Sequence, residues 1–589
     1  MTTKKYRNTV ISQDFFIDLR EKYDKVETLL KEANQDPQSE PFKSKYAALE
    51  ILMELKSKLV NVLDDLRSSD SSYDELTAML GGVWVSLGTI SVDTEEWSNG
   101  EEQLTNCLKL LEDNSMEPNK ILIVLSAFNQ LGILWSNRGD YEKSQNYLSS
   151  AEDLYRNYKN TCEDRPKEVG DLFSTVNKPP PQTKYDAPLE KLHTLTLYYL
   201  AQIHATLGNV VKSAIYCHNT LRRQLECEKP DMIDWALNAA TLAQFIMEKN
   251  AFQLARHHLA AASCVLEQYE ITLGTNDLDE EQRGYLLEQY NHRSADVARC
   301  WAKYGIVLLS ISFDRLTSDD YVDTSVTEPE FLELQFSTLE LSTYESQITA
   351  KYVLVFDDAK KVFHNSLSWL NKAQEFYTLE NHASDYVSII QDMSELYKHL
   401  ALFDDDNARK CKLHKKRIDM LEAVIKELNP KYYLNACRNL RYELAATYVT
   451  MFELKQEILQ ENSENQTPHA IKKIHHLISK AIEAYNGFLD VLNDLKTKKP
   501  PAEFGSDLVR PALLSYFYLG HLHSKLVIYN RERQLEHRKK SYEYYKMVVD
   551  YCDAHEEAKQ CVEIELATCR EMVELLPALI NKLVGRGFS

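Results

Sequence analysis

Apolar positions along this chain recur with a helical period, and the period itself repeats as a larger unit. Around Gly132, apolar residues stand four before (Phe128), one before (Leu131) and three after (Trp135). Such spacing marks one face of a helix. A polar stretch with a second glycine, Gly139, follows, and then Ser144, Leu148 and Ala151 start a new apolar face. The pattern predicts helix, turn, helix, with Gly139 ending the first helix because glycine takes the left-handed conformation without a Cβ penalty. The register recurs upstream in Trp84, Leu87 and Gly88, followed by Gly100, Leu104 and Cys107. It recurs downstream in Leu197, Leu200, Ala201 and His204, then Ser213, Cys217 and Thr220. A further copy has Ala239, Leu242, Ala243 and Ile246, then Ala255, Leu259 and Ala262. Trp301, Tyr304, Gly305 and Leu308 begin another, and weaker copies surround Ala445 and Gly520.

Gly132 falls in mid-helix, where glycine costs about 1 kcal/mol relative to alanine. The aligned position reads Gly88, Gly132, Ala201, Ala243, Gly305, Ala445 and Gly520, so smallness there is a steric requirement. The facing positions, Gly100, Ser144, Ser213 and Ala255, are small too. Small residues on both sides allow two helices to approach closely. This resembles the tetratricopeptide (TPR) pattern, whose hairpins complete one another's cores by stacking. Successive small positions lie 44, 69, 42 and 62 residues apart, against about 34 in regular units, which implies longer helices and inserted loops. The expected fold is all-α: a TPR-like right-handed α-solenoid of antiparallel helix hairpins, in two lobes joined by long linking helices. The expected domains are an N-terminal lobe over 1–310, a linking long-helix region over 311–380 and a C-terminal lobe over 381–589. Within the linker, 328–377 reads as one or two long helices. Loops are expected at 163–188, with a polyproline tip at Pro179, Pro180 and Pro181, and at 461–468 and 496–507.

Composition agrees with a helical chain, since 589 residues hold only 16 Gly and 16 Pro. The polar start "MTTKKYRNTVISQD" predicts no signal peptide, and no apolar run reaches the length of a membrane span. The 11 cysteines form no C-x-x-C pair. The closest group, Cys552, Cys561 and Cys569, reads as reduced thiols of a cytoplasmic protein rather than a metal site. The formal net charge of −21 disfavours nucleic acid and anionic membranes as partners. It suits a basic partner, and on charge alone it equally suits simple solubility.

No phosphate loop, dinucleotide fingerprint, zinc-protease motif or nucleophile elbow is present. The chain therefore reads as a non-enzyme with no cofactor, no metal and no small-molecule substrate. The adjacent pairs His257–His258 and His475–His476 diverge by about 100° on a helix, poor geometry for sharing a metal. Asp404, Asp405 and Asp406 read as the capping run of a helix starting at Asn407.

A helical solenoid without catalytic motifs is usually a binding surface, and its concave face is the place to look. Residues two before and one after the small position point away from the hairpin partner, toward the groove. These pairs are Ser86/Thr89, Gln130/Ile133, Tyr199/Gln202, Thr241/Gln244, Lys303/Ile306, Glu443/Ala446 and Tyr518/His521. Tyr199, Gln202, Thr241 and Gln244 stand out as uncharged hydrogen-bonding groups in neighbouring repeats, able to supply contact area and polar specificity. Solvated groove residues would look the same by spacing alone. An adaptor for acidic peptide tails would need lysines aimed into the groove to clamp carboxylates. The positions three before and one after the small site carry none. A scaffold for cytoskeletal partners is not separated by sequence.

Several long segments carry a family resemblance. They are "TLYYLAQIHATLGNVVKSAIYCHNTLRRQLE", "DWALNAATLAQFIMEKNAFQLARHHLAAA", "ARCWAKYG", "CKLHKKRIDMLEAVIKELNPKYYL", "DLVRPALL" and "YYKMVVDYC". Through them the chain resembles the KIF-binding protein (kinesin-binding protein) family over nearly its whole length. The resemblance implies a cytoplasmic, cytoskeleton-associated inhibitor that binds kinesin motor domains, blocks their attachment to microtubules, and bears on axonal transport and neuronal development. It also implies that the N-terminal groove grips a microtubule-binding helix of the motor. Carried over residue by residue, the groove contacts are Tyr199 and Gln202 in "YYLAQ" and Thr241 and Gln244 in "ATLAQ". Loops 163–188 and 310–345 depart most from the family, so no contact is carried over there.

Overall fold

The structure is a computed structural model. It describes residues 11–585 except 38, 67–69, 71, 163, 175–186, 228–230, 276–278, 319–328, 462–466, 494–499 and 527–529. The polyproline tip at 179–181 and parts of the other expected loops lie outside the described residues. All regular structure among the described residues is helical. By internal contacts the chain falls into two compact units, Met1–Lys249 with Ser325–Glu340, and Asn250–Thr324 with Leu341–Ser589.

The first unit opens with α1 (Gln13–Glu32), α2 (Lys43–Asp65), α3 (Tyr73–Asp93), α4 (Trp97–Leu111), α5 (Ile121–Asn137) and α6 (Tyr141–Thr161). It continues with α7 (Val169–Phe173), α8 (Ala187–Thr206), α9 (Val210–Cys227) and α10 (Met232–Glu248). The second unit begins with α11 (Phe252–Thr275) and α12 (Glu280–Thr317). The short α13 (Pro329–Leu332) counts with the first unit. The second unit resumes with α14 (Ser342–Glu345), α15 (Phe356–Phe376), α16 (Ala383–Leu402), α17 (Asn407–Glu427), α18 (Leu434–Glu461) and α19 (Pro468–Leu492). It ends with α20 (Val509–Lys525), α21 (Arg531–Ala554), α22 (Glu556–Cys561) and α23 (Glu563–Gly585).

Helix starts follow local chemistry. Asp140, Asp231, Asp279, Asp406, Thr467 and Asn530 each accept a backbone N–H from the first turn of α6, α10, α12, α17, α19 and α21. Such caps satisfy donors that a helix cannot. Within the acidic run at 404–406, Asp406 is the cap of α17. Asp406 accepts from Ala408 N at 2.8 Å, and the buried Asp404 is held by Arg409 Nε at 2.8 Å.

The small positions do what the repeat pattern requires. α3 packs on α4, α5 on α6 and α8 on α9 as hairpins. A Cβ at Gly88 would lie 2.5 Å from Leu104 Cγ, and one at Gly132 would lie 2.6 Å from Leu148 Cγ. The facing serines add a bond across each hairpin. Ser144 Oγ donates to Gly132 O at 2.7 Å, and Ser213 Oγ donates to Ala201 O at 2.8 Å. α3 has the length and apolar composition of a membrane span, but 78 % of that window is buried in the first unit, as in a core helix.

In the second unit the same contact survives with its spacing broken. α12 packs along α15, and a Cβ at Gly305 would run into Ser366 Oγ, 61 residues on by sequence number. Likewise Ser541 Oγ donates to Gly520 O at 2.7 Å, an offset of 21 residues. The expectation of one or two long helices over 328–377 is corrected. Two four-residue helices and irregular chain precede α15, and the longest helix is α12, with 38 residues, upstream of that region. No glycine or proline interrupts 330–377, so the sequence carries no stop signal. Tertiary bonds override its helix preference: Val353 N donates to Ser312 Oγ at 2.9 Å, and Tyr304 Oη donates to Thr349 O at 3.0 Å. In the first unit, Phe331, Leu334 and Phe336 are buried, α13 packs on α9, and Phe336 meets His218 at 4.6 Å and Trp235 at 5.3 Å between ring centres.

Four histidines are held neutral inside these units. Burial lowers His193 from 6.5 to about 3, helped by neighbouring Arg223. Burial also lowers His258, His414 and His523 to about 4. Between these values and 6.5 the unfolded chain binds protons that the folded chain refuses, so stability rises with pH there. The contribution is fully present above 6.5 and is lost as pH falls toward 4. The urea midpoint is therefore expected to drop steadily from pH 7 to pH 5, above the range where ordinary carboxylates titrate. A flat profile over that interval would contradict it.

Candidate partner-binding face

The first helices of the N-terminal hairpins pack side by side, α3 on α5 and α5 on α8. The buried Asn129 fixes the second of these contacts. Its Nδ2 donates to Leu192 O at 3.1 Å, and its Oδ1 accepts from Thr196 Oγ1 at 2.8 Å. That register leaves one face of α3, α5 and α8 turned from α4, α6 and α9. Gly88, Gly132 and Ala201 are buried, whereas Ser86, Thr89, Gln130, Ile133 and Tyr199 are partly exposed and Gln202 is exposed. On α10 the same alternation holds, with Ala243 buried and Thr241 and Gln244 exposed.

The four expected contact residues are not equivalent. Tyr199 and Gln202 lie one turn apart on α8. The Tyr199 ring packs beside Leu148, Leu200 and Ile203 and meets Tyr198 edge-on at 5.3 Å. Burial, then Tyr198 and Asp93, push its phenol up, so it stays protonated and can donate. Neither the Tyr199 hydroxyl nor the Gln202 amide is engaged by a described residue, and both are available to a partner. Thr241 is different, because its hydroxyl donates to Leu237 O at 2.8 Å within α10. What it offers outward is mainly its methyl group. Among the described residues α10 packs chiefly on α9, and α9 packs on α8. The two pairs thus share α9 as a neighbour.

Sequence spacing passed over Tyr198, which is 47 % exposed. It borders an apolar cavity of about 760 Å³, together with Tyr23, Val85, Leu122 and Leu195. The helical wheel placed Tyr198 at a position tested only for a lysine clamp, so its size and exposure gave no signal. Behind this face, Glu190 on α8 accepts from Tyr155 Oη at 2.8 Å and pairs with Lys159 and Arg223. His193 stacks on Tyr155 at 3.6 Å. These contacts tie α6, α8 and α9 together.

Known proteins resemble the chain over its full extent. Residues 233–583 match the family model described as KIF-1 binding protein C terminal. The KIF-binding protein of Gallus gallus is 37 % identical, covering 94 % of this chain and 95 % of that protein. Those of Drosophila melanogaster and Homo sapiens are each 34 % identical, covering 98 % and 94 % of this chain and 98 % and 95 % of their own lengths. Among solved structures, the KIFBP chain seen by cryo-EM is similar with a TM-score of 0.63 at 30 % identity, covering 98 % of this chain and 100 % of that one. Sequence and backbone agree along the whole length: the chain belongs to the KIF-binding protein family.

Proposed function

We propose that this protein binds kinesin motor domains on the α3–α5–α8 face and so blocks their attachment to microtubules in the cytoplasm. The observation that carries the reading is the unengaged Tyr199 hydroxyl and Gln202 amide on an exposed helix face of a KIF-binding protein family member. A microtubule is acidic, so the surface of a motor that binds it is basic. A chain of net charge −21 competes for such a surface by charge as well as by shape. Helix-in-groove docking fits a row of parallel first helices with small polar and aromatic side chains. No step in this mechanism involves nucleotide chemistry by the chain itself. Axonal transport and neuronal growth would be affected through the motors.

Microtubule co-sedimentation tests the proposal. A kinesin motor domain is expected to leave the pellet as this protein is added, with weaker displacement as salt rises. A motor that binds the protein yet stays on microtubules would leave an adaptor or scaffold role and end the blocking mechanism.

A further inference from the structure

The cavity of about 760 Å³ beside Tyr198 lies wholly within the N-terminal unit. Val85, Leu122, Leu195 and Tyr198 are among its apolar walls. Its volume is typical of small-molecule sites and larger than any single side chain of a partner. Glu168 and Tyr198 are exposed at its rim, so it is reached from solvent. Charge is placed unevenly around it. Glu27 of α1 and Glu168, just before α7, both line it. A Cβ on Gly170 would lie 2.8 Å from Glu27 Oε1, which seats that carboxylate against the start of α7. Burial, then Glu27 and Glu168, push the phenol of Tyr23, a further lining residue, up to about 12. The two carboxylates therefore flank one hydroxyl. Lys31 reaches Glu27 only at 3.9 Å with its side chain 80 % exposed, and such a pair neutralises little. No cation among the described residues stands within ion-pair distance of Glu168. Lys191 of α8 also lines the cavity, but it is exposed and pairs with neither carboxylate.

We infer that this cavity binds a small molecule with an elongated apolar body and one cationic group, of the class of long-chain amines. The apolar walls take the body out of water. The ammonium lies between Glu27 and Glu168 and donates to both, and such charge-assisted bonds are the strong ones. A fatty acid of the same length is disfavoured, because its carboxylate meets two carboxylates and a chain of net charge −21. Lys191 offers that anion a single exposed charge, which salt screens. Ser126 of α5 also lines the cavity, and no described residue engages its hydroxyl, so this position gives access to the space without breaking a bond. The site stands independently of the kinesin reading and involves neither Tyr199 nor Gln202.

The test is calorimetric titration of the full chain with decylamine, below the concentration at which it forms micelles, and with decanoate in parallel. Decylamine is expected to saturate one site, and decanoate to bind about tenfold more weakly or less. Glu27→Gln with Glu168→Gln is expected to weaken the amine by about tenfold. Glu281→Gln, a charge change on the exposed start of α12, is expected to leave it within about twofold. Ser126→Trp fills the cavity and is expected to abolish the heat of binding, whereas Ser126→Ala is expected to bind like the parent. Circular dichroism confirms that each variant is folded, and the carboxylate variants carry the test should the tryptophan variant not fold. Equal binding of decanoate would overturn the proposal. So would amine uptake that does not saturate or that survives Ser126→Trp, which is surfactant adsorption. Absence of amine binding together with weaker motor binding by Ser126→Trp would assign the cavity to a protein partner instead. The titrations contain no motor, so a motor domain that fails to bind the parent chain would count against the proposed function and leave the amine result standing.

Discussion

A chain carrying Tyr199→Ala and Gln202→Ala is expected to bind a kinesin motor domain about 30- to 100-fold more weakly than the parent, as measured by calorimetry. Tyrosine is among the side chains that dominate interfaces, and truncating one at a well-packed centre costs about 2 kcal/mol or more. Every 1.4 kcal/mol is about tenfold in affinity. Tyr199 is half-buried beside Leu148, Leu200 and Ile203, so its ring is held in place and loses little freedom on binding. Gln202 adds an amide that no described residue engages. The alanine variant also removes packing, so Tyr199→Phe with Gln202→Ala serves as the milder companion: it keeps the ring and deletes the polar groups. Thr241→Ala is expected to matter far less, because its hydroxyl already bonds to Leu237 O. Undiminished motor binding by the folded double variant would remove the α8 face from the interface.

Gly132→Ala is expected to destabilise the N-terminal unit by about 3 kcal/mol, although alanine is the better helix former. The added methyl would sit 2.6 Å from Leu148 Cγ, deep inside the α5–α6 hairpin. It would also press on the approach that lets Ser144 Oγ reach Gly132 O. Gly139→Ala, seven residues on, makes the opposite case. Gly139 has a φ of +79° and open space around it, so only backbone strain of about 1 kcal/mol is expected. Leu148→Ala alone should cost about 2–5 kcal/mol by leaving a cavity. Combined with Gly132→Ala it should cost less than the sum, because the new methyl enters the vacated space. Additive losses in chemical denaturation would show that Gly132 and Leu148 do not share the contact.

The steric rule at Gly132 was legible in the sequence because a tight turn fixes the distance to its partner. Ser144 and Ser213 each follow their small residue by twelve positions, and each forms the bond that this offset implies. The rule persists at Gly305 and Gly520, but their partners, Ser366 and Ser541, lie at other distances once chain is inserted. A fixed offset cannot find them. The exposure of Tyr199, Gln202, Thr241 and Gln244 followed from helical periodicity alone. The loss of Thr241's hydroxyl to its own helix did not, because that is a rotamer choice. Tyr442, Tyr485 and Tyr518 come from three helices, offset by 43 and 33 in number, and only packing reveals that their rings meet. The chain between α13 and α15 reads as helix by its lack of breakers, yet it forms only the four-residue α14, because its backbone bonds to side chains of α12 instead.

Segment Ser325–Glu340 also sets the order in which this protein can finish folding as it is made. The first unit is complete only when Phe331, Leu334 and Phe336 arrive, yet all of α11 and α12 leave the ribosome before them. At about 5–20 residues per second, the interval from Lys249 to Glu340 lasts roughly 5–20 seconds. Throughout it, His218 and Trp235 lack the ring that covers them in the finished protein. A nascent chain halted near residue 310 would expose this apolar seat, a natural mark for chaperones to recognise and a reason for truncated forms to be short-lived.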